Sequence, residues 1–201
     1  MTARTMLPAL AAAAALSGCL SSGGSRETRL WTVECRDALV AEDPRRADET
    51  VPPKTVRLGA VSVSAPWDSD NIVVRRADGS VAFDAYNEFA ASPSTMLRAP
   101  VMAQLSSDGR FGRVVAPSSV ASADAAVEVL VRDLSLDCSE AGKRTARASV
   151  SVDVVKTGRG ARTVALSGDG DSTADAAGGN YSAAFSTAFN EALKAALSTL
   201  K

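Results

Sequence analysis

The chain has 201 residues, with 22 basic and 23 acidic side chains and a formal charge of −1. So even a balance leaves no electrostatic footprint for nucleic acid. The absence of histidine removes the usual general base, every Ser–His–Asp or Cys–His arrangement and the most frequent transition-metal ligand.

Residues 1–18 read as a targeting leader. Arg4 supplies a short basic region, and an apolar run follows from Met6 to Leu16. As a helix that run spans roughly 16 Å, far short of a hydrocarbon core of about 30 Å. A cleavable signal peptide therefore fits better than a membrane-spanning anchor. Leu16-Ser17-Gly18-Cys19 resembles the bacterial lipobox, in which small residues precede a cysteine that is acylated and becomes the mature N-terminus. The alternative is an ordinary apolar leader with a chance cysteine. Cleavage before Cys19 leaves 183 residues with a charge of about −2, enough for one domain with a real core.

Cys35 and Cys138 are the other two cysteines. In an exported chain they form a candidate disulfide, which would contribute roughly 4–5 kcal/mol in the chain-entropy model. Two unpaired, buried thiols are the other reading. Residues 19–28 hold the lipidated cysteine and a Ser- and Gly-rich tether. The nine residues after Cys19 reach at most about 30 Å. Residues 29–201 are expected to form the folded domain.

Leu30 to Val33 is a first short strand. Asp37 to Lys54, with three prolines, is a loop. Val56 to Ser64 is a second strand whose apolar phase shifts, predicting a bulge near Gly59. Ile72–Arg76 and Val81–Asp84 flank Ala77-Asp78-Gly79-Ser80, a hairpin signal. A helix starts with Ser92 as N-cap and Pro93 in first place. Leu97, Val101 and Leu105 share one face of it, and Pro100 predicts a kink or two short helices. Phe111–Val115 is a strand.

The runs Val127–Cys138, Ala148–Val154 and Val164–Leu166 alternate as in an antiparallel meander. Lys143–Arg147 reads as a solvated turn tip. The last helix is the clearest element. Tyr181, Phe185, Phe189, Leu193 and Leu197 recur every four residues beside Ala184, Ala188, Ala192 and Ala196. That stripe faces a core; an interfacial membrane helix would carry a basic polar face, which this one lacks. Asn190, Glu191 and Lys194 fall elsewhere on the cylinder. The expected fold is α+β: a single domain, a mostly antiparallel sheet and two main helices, including the C-terminal amphipathic one.

Gly168-Asp169-Gly170-Asp171-Ser172-Thr173-Ala174-Asp175 places oxygen ligands along a Gly-rich stretch. It fails the spacing of a calcium loop and lacks the closing bidentate Glu, so it reads as a solvated turn before the last helix. No metal site and no cofactor are expected beyond a lipid on Cys19. No Gly-rich stretch has a phosphate-loop or dinucleotide-binding pattern, and an enzyme is not expected. A periplasmic hydrolase would need a pocket of convergent titratable groups.

The order of these features resembles the ABC-type transport auxiliary lipoprotein family. The likeness rests on the lipobox, Leu30-Trp31-Thr32-Val33, Val56–Val63, Asn71–Arg76 and Val81–Pro93, where Phe89-Ala90 stands for an aromatic–Ala pair leading into the helix. The late hairpins and the last helix complete it, while Pro100 and the cysteine pair depart from the expected pattern. The resemblance implies a non-catalytic lipoprotein on the periplasmic side of the outer membrane. It would dock an MCE-domain protein belonging to a permease and ATPase complex for lipid transport, with a homo-oligomer as one form. A lipoprotein adaptor of another envelope assembly or secretion machine is the alternative. The candidate partner surface is Phe83, Tyr86 and Phe89, where aromatic and polar residues alternate; packing of all three under the sheet is the competing reading.

Overall fold

The computed structural model describes residues 27–35, 55–158 and 161–201. The predicted leader, Cys19, the tether up to Arg26 and the loop at 37–54 lie outside the described residues.

Among the described residues, eight strands and three helices follow in chain order: β1 Arg29–Trp31, β2 Thr55–Val63, β3 Asn71–Arg76, β4 Val81–Phe89, α1 Pro93–Met96, α2 Arg98–Ser107, β5 Arg113–Val115, β6 Ala125–Cys138, β7 Thr145–Gly158, β8 Ala161–Asp175 and α3 Tyr181–Ser198. The architecture is α+β, one domain with a mostly antiparallel, open eight-stranded sheet. Its long ladders are antiparallel: β6 with β7 from Ala126 to Asp137, and β7 with β8 from Thr145 to Asp175.

The other edge of β6 is shared end to end by two strands, both parallel to it. β2 pairs with residues 125–131 and β3 with Leu136–Cys138. β2 and β3 thus act as one strand interrupted by an excursion, which Ser64 N–H to Val131 O (2.9 Å) closes. The bulge expected near Gly59 is present, as a register shift between Leu58 and Val61.

Alternation buries one face of this sheet. Val127, Val129, Val131, Leu134 and Leu136 on β6, and Ala146, Ala148, Val150 and Val152 on β7, are almost fully buried. α3 lies over β7 and β8, with Phe185, Phe189, Leu193 and Leu197 wholly enclosed. Each such side chain contributes on the order of 1.5–3 kcal/mol through burial. Asn180 caps α3: its side chain accepts from Ala183 N–H at 3.1 Å.

Asn190, read as part of the polar side of α3, does a structural job together with Ser186. Ser186 Oγ accepts from Glu34 N–H (2.8 Å), and Asn190 Nδ2 donates to Glu34 O (2.8 Å). Spaced four residues apart, they hold the segment after β1 against the helix. Asn190 is therefore buried, although Glu191 remains exposed.

The first predicted helix is broken, but at Leu97, three residues before Pro100. Pro100 has no N–H for the Met96 carbonyl and its ring crowds that carbonyl, so the turn before it cannot continue. Pro93 does start α1, yet Ser92 makes no side-chain cap bond. Asp68 Oδ1 instead accepts from Ser94 N–H at 2.9 Å, from another part of the chain.

Two expectations are corrected. Residues 168–175 are not a turn: they form most of β8, an edge strand. Gly168 and Gly170 point inward where α3 passes so close that a Cβ would run into the Ala196 and Ala192 carbonyls. The alternating aspartates are the other, outward set. The disulfide is absent too, since both thiols are free. Cys35 Sγ lies 3.9 Å from Gln104 Oε1 on α2, beside the Asn190 contact, whereas Cys138 is near Tyr181. Those two α3 positions are nine residues, or about 13 Å, apart along the helix, well beyond disulfide reach.

Candidate docking surface

β4 begins from a turn in which Gly79 takes φ +80° and Asp78 Oδ1 accepts from Ser80 N–H at 2.9 Å. The first residues of β4 pair with β3, with Val81 opposite Arg75 and Phe83 opposite Val73. That register puts Val81 and Phe83 on the sheet face away from α3. They are 49% and 58% exposed, more than an apolar strand position on a covered face would allow.

Between Phe83 and Glu88 the pairing breaks: five steps along β4 answer two along β3. The surplus is odd, so side chains after it swap faces. Asp84 organises the break, its Oδ1 accepting from Tyr86 N–H (2.9 Å) and its Oδ2 from Asn87 Nδ2 (3.0 Å). Phe89 therefore turns inward, is 3% exposed and meets Phe185 edge-on at 5.1 Å. The predicted trio is split. Phe83 and Tyr86 are at the surface, and Phe89 belongs to the core.

Around this patch the other residues are fixed by neighbours. β1 runs parallel to β4, with Leu30 opposite Glu88 and Trp31 opposite Phe89. Trp31 Nε1 donates to Asn87 Oδ1 (2.9 Å) and its ring lies 5.3 Å from that of Tyr181. Leu30, on the alternate face, is 63% exposed. Beside Val81, the Arg75 guanidinium sits over Trp67 at 4.5 Å and binds Asp133 at 2.9 Å and Ser135 at 3.1 Å. Leu30 and Val81 lay outside the predicted surface. The Val81-Ala82-Phe83 alternation was the signal for Val81, once the helix face of the sheet was known.

Several ionisable groups on the outer sheet face pair with one another. Arg132 pairs with Asp169 (3.0 Å) and Arg147 with Asp137 (3.0 Å). At the β6–β7 turn, Asp137, Glu140, Lys143 and Arg147 line a shallow polar depression. Hydrogen bonds from the Ser139 side chain and backbone, then Arg147, hold the Asp137 carboxyl down to about 2. A depressed carboxylate contributes stability above its ordinary value, and the contribution is lost as pH falls through about 2. The Asp137 side-chain carbon resonance is thus expected to titrate near pH 2; a midpoint near 4 would mean that these bonds are not formed in solution.

Burial pushes the Cys138 thiol up, which leaves it a weak nucleophile. Among the described residues no three Cys, Asp or Glu side chains are grouped to hold a metal ion. No described helix is long and apolar enough to cross a membrane. Cys19, the predicted lipid site, lies outside the described residues.

Residues 38–197 match the family model for the ABC-type transport auxiliary lipoprotein component. The fold is similar to the crystal structure of a Xanthomonas campestris protein of the DUF330 family model, with a TM-score of 0.55 and 17% identity over 84% of this chain and 85% of that one. A second crystal structure, of an uncharacterized protein, aligns with a TM-score of 0.44 and 16% identity over 62% of this chain and 76% of the other. No curated protein matches the sequence.

Proposed function

Because the chain belongs to the ABC-type transport auxiliary lipoprotein family, we propose that it is the non-catalytic docking component of an MCE-type lipid transport system, held to the outer membrane by acyl chains on Cys19. The observation that carries this reading is the family match, which spans β2 to nearly the end of α3. Two others support it. The lipobox-like Leu16–Cys19 directly follows an apolar run too short to span a bilayer. On the outer face Arg75 pairs with Asp133, Arg132 with Asp169 and Arg147 with Asp137, the last at the shallow depression of the β6–β7 turn.

The physical logic is that of a fixed post. Lipid moving between two bilayers needs a closed apolar path, and one end of that path must be held at its target membrane. Acyl chains supply the hold: at about 0.8 kcal/mol per buried CH₂, two or three chains make release very slow. The folded domain supplies the surface that the MCE-domain protein grips, with its permease and ATPase at the far membrane.

The test is affinity purification of the full-length, acylated protein from gently solubilised envelopes, followed by mass spectrometry. An MCE-domain protein, with or without permease and ATPase, is the expected companion. Recovery of a different secretion or assembly machine overturns the transport role and leaves the family assignment intact.

A further inference from the structure

The exposed apolar patch of Leu30, Val81 and Phe83, with Tyr86 at its edge, lies where the chain arrives from its N-terminus. β1 runs parallel to β4, so both start at the same end of the sheet. That end carries the β3–β4 turn at 77–80 and, because β3 is parallel to β6, the β6–β7 turn at 139–144 as well. Arg29, the first residue of β1, lies beside Asn87, so the chain enters the sheet from the end where β4 starts. The β7–β8 tip and the 116–124 loop, with Val164 and Val120 exposed, are at the opposite end.

We infer that this patch rests on the bilayer that holds the acyl anchor, so that the domain sits on the membrane by its β1–β4 edge. The inference rests on acylation at Cys19, the anchoring part of the reading above. Ten residue steps separate Cys19 from Arg29, at most about 35 Å of extended chain. Cys19 is therefore held within that reach of the start of β1, beside β4.

The chemistry suits a lipid interface. Leu30, Val81 and Phe83 offer hydrocarbon, and Tyr86 an aromatic ring with a polar tip, the kind of side chain favoured at headgroup depth. The exposed Arg29 and Arg76 flank them and can meet lipid phosphates, although Asp78 and Glu88 temper the local charge. So small a patch has little affinity for a free bilayer. Tethering changes that, because a short linker holds the surface at a high effective concentration over the membrane and makes the contact intramolecular. The end bearing Val120 and Val164 then points away from the bilayer, toward whatever approaches from the other side.

The test uses the full-length, acylated protein in vesicles of phosphatidylethanolamine, phosphatidylglycerol and cardiolipin. Phe83→Trp provides a reporter over the native Trp31 and Trp67, with Val164→Trp as the control at the opposite end. In vesicles made with acyl-brominated lipid, the emission added by Phe83→Trp is expected to be largely lost and that added by Val164→Trp retained. Hydrogen exchange on the unsubstituted protein guards against a bias from the introduced indole: amides of residues 81–86 should exchange more slowly on vesicles than in detergent. If the protein floats with the vesicles but Phe83→Trp keeps its emission and exchange at 81–86 is unchanged, the patch does not face lipid and belongs to a protein partner or a second copy. If quenching appears at both positions, no one edge is seated and the inference also fails. Failure to float removes the anchor itself, and with it this inference and the membrane part of the proposed role.

Discussion

Replacing Gly170 with alanine is expected to be among the most damaging single-methyl additions this domain can suffer. A Cβ at that position falls well inside contact distance of the Ala192 carbonyl oxygen and the Ala196 nitrogen, and 2.8 Å from Ala195 Cβ. The first two are backbone atoms, so no rotamer change relieves the clash. Either α3 shifts as a whole or β8 buckles, and α3 carries Phe185, Phe189, Leu193 and Leu197, which are among the largest enclosed side chains of the core. Overpacking typically costs 1–3 kcal/mol, and an unyielding neighbour puts this case at about 3 kcal/mol or more. For a domain of this size that is a fall in Tm of roughly 6–12 °C. Gly178→Ala is the control, since a Cβ there meets nothing within 4 Å. Thermal melts of both variants by circular dichroism decide the matter: a Gly170→Ala protein that melts with the native one means that helix and strand are not seated this closely.

The same glycines show where the sequence was legible and where it was not. α3 was plain because five large apolar residues recur at helical spacing and nothing competes with that signal. The β3–β4 hairpin was plain because Asp78-Gly79 sits between two β-prone runs. The second half of β8, beyond the Val164–Leu166 run, reads as a turn because its buried positions, Gly168 and Gly170, carry no side chain to produce an apolar alternation. Its visible residues are the outward aspartates, which imitate a polar loop. The parallel seating of β2 and β3 against β6 left no local trace either, because alternation says which face a residue takes and not which strand lies beside it. Asn190 misled in the other direction: a polar residue on a helix suggests solvent, and here it donates to the Glu34 carbonyl while Ser186 accepts from the Glu34 N–H.

The candidate surface was half legible, and a single pair of substitutions separates its halves. Phe89→Ala is expected to cost about 3–5 kcal/mol, because it removes a ring that is 3% exposed and in edge-on contact with Phe185. Phe83→Ala should stay within about 0.5 kcal/mol of native, since 58% of that residue already faces outward. The two share a strand and a parity, and without the break organised by Asp84 they would share a face. A double Tyr86→Ala and Phe89→Ala variant cannot tell interface from core, because the loss of Phe89 alone disrupts the packing beneath. Urea unfolding of the two single variants is the direct measurement. A Phe83→Ala protein destabilised by 2 kcal/mol or more would mean that another part of the chain covers the outer face of β4, and a covered Phe83 is not available to a bilayer. A near-native Phe83→Ala protein beside a crippled Phe89→Ala one assigns the inner ring to stability. The outer ring is then free to be judged by what it touches on the membrane.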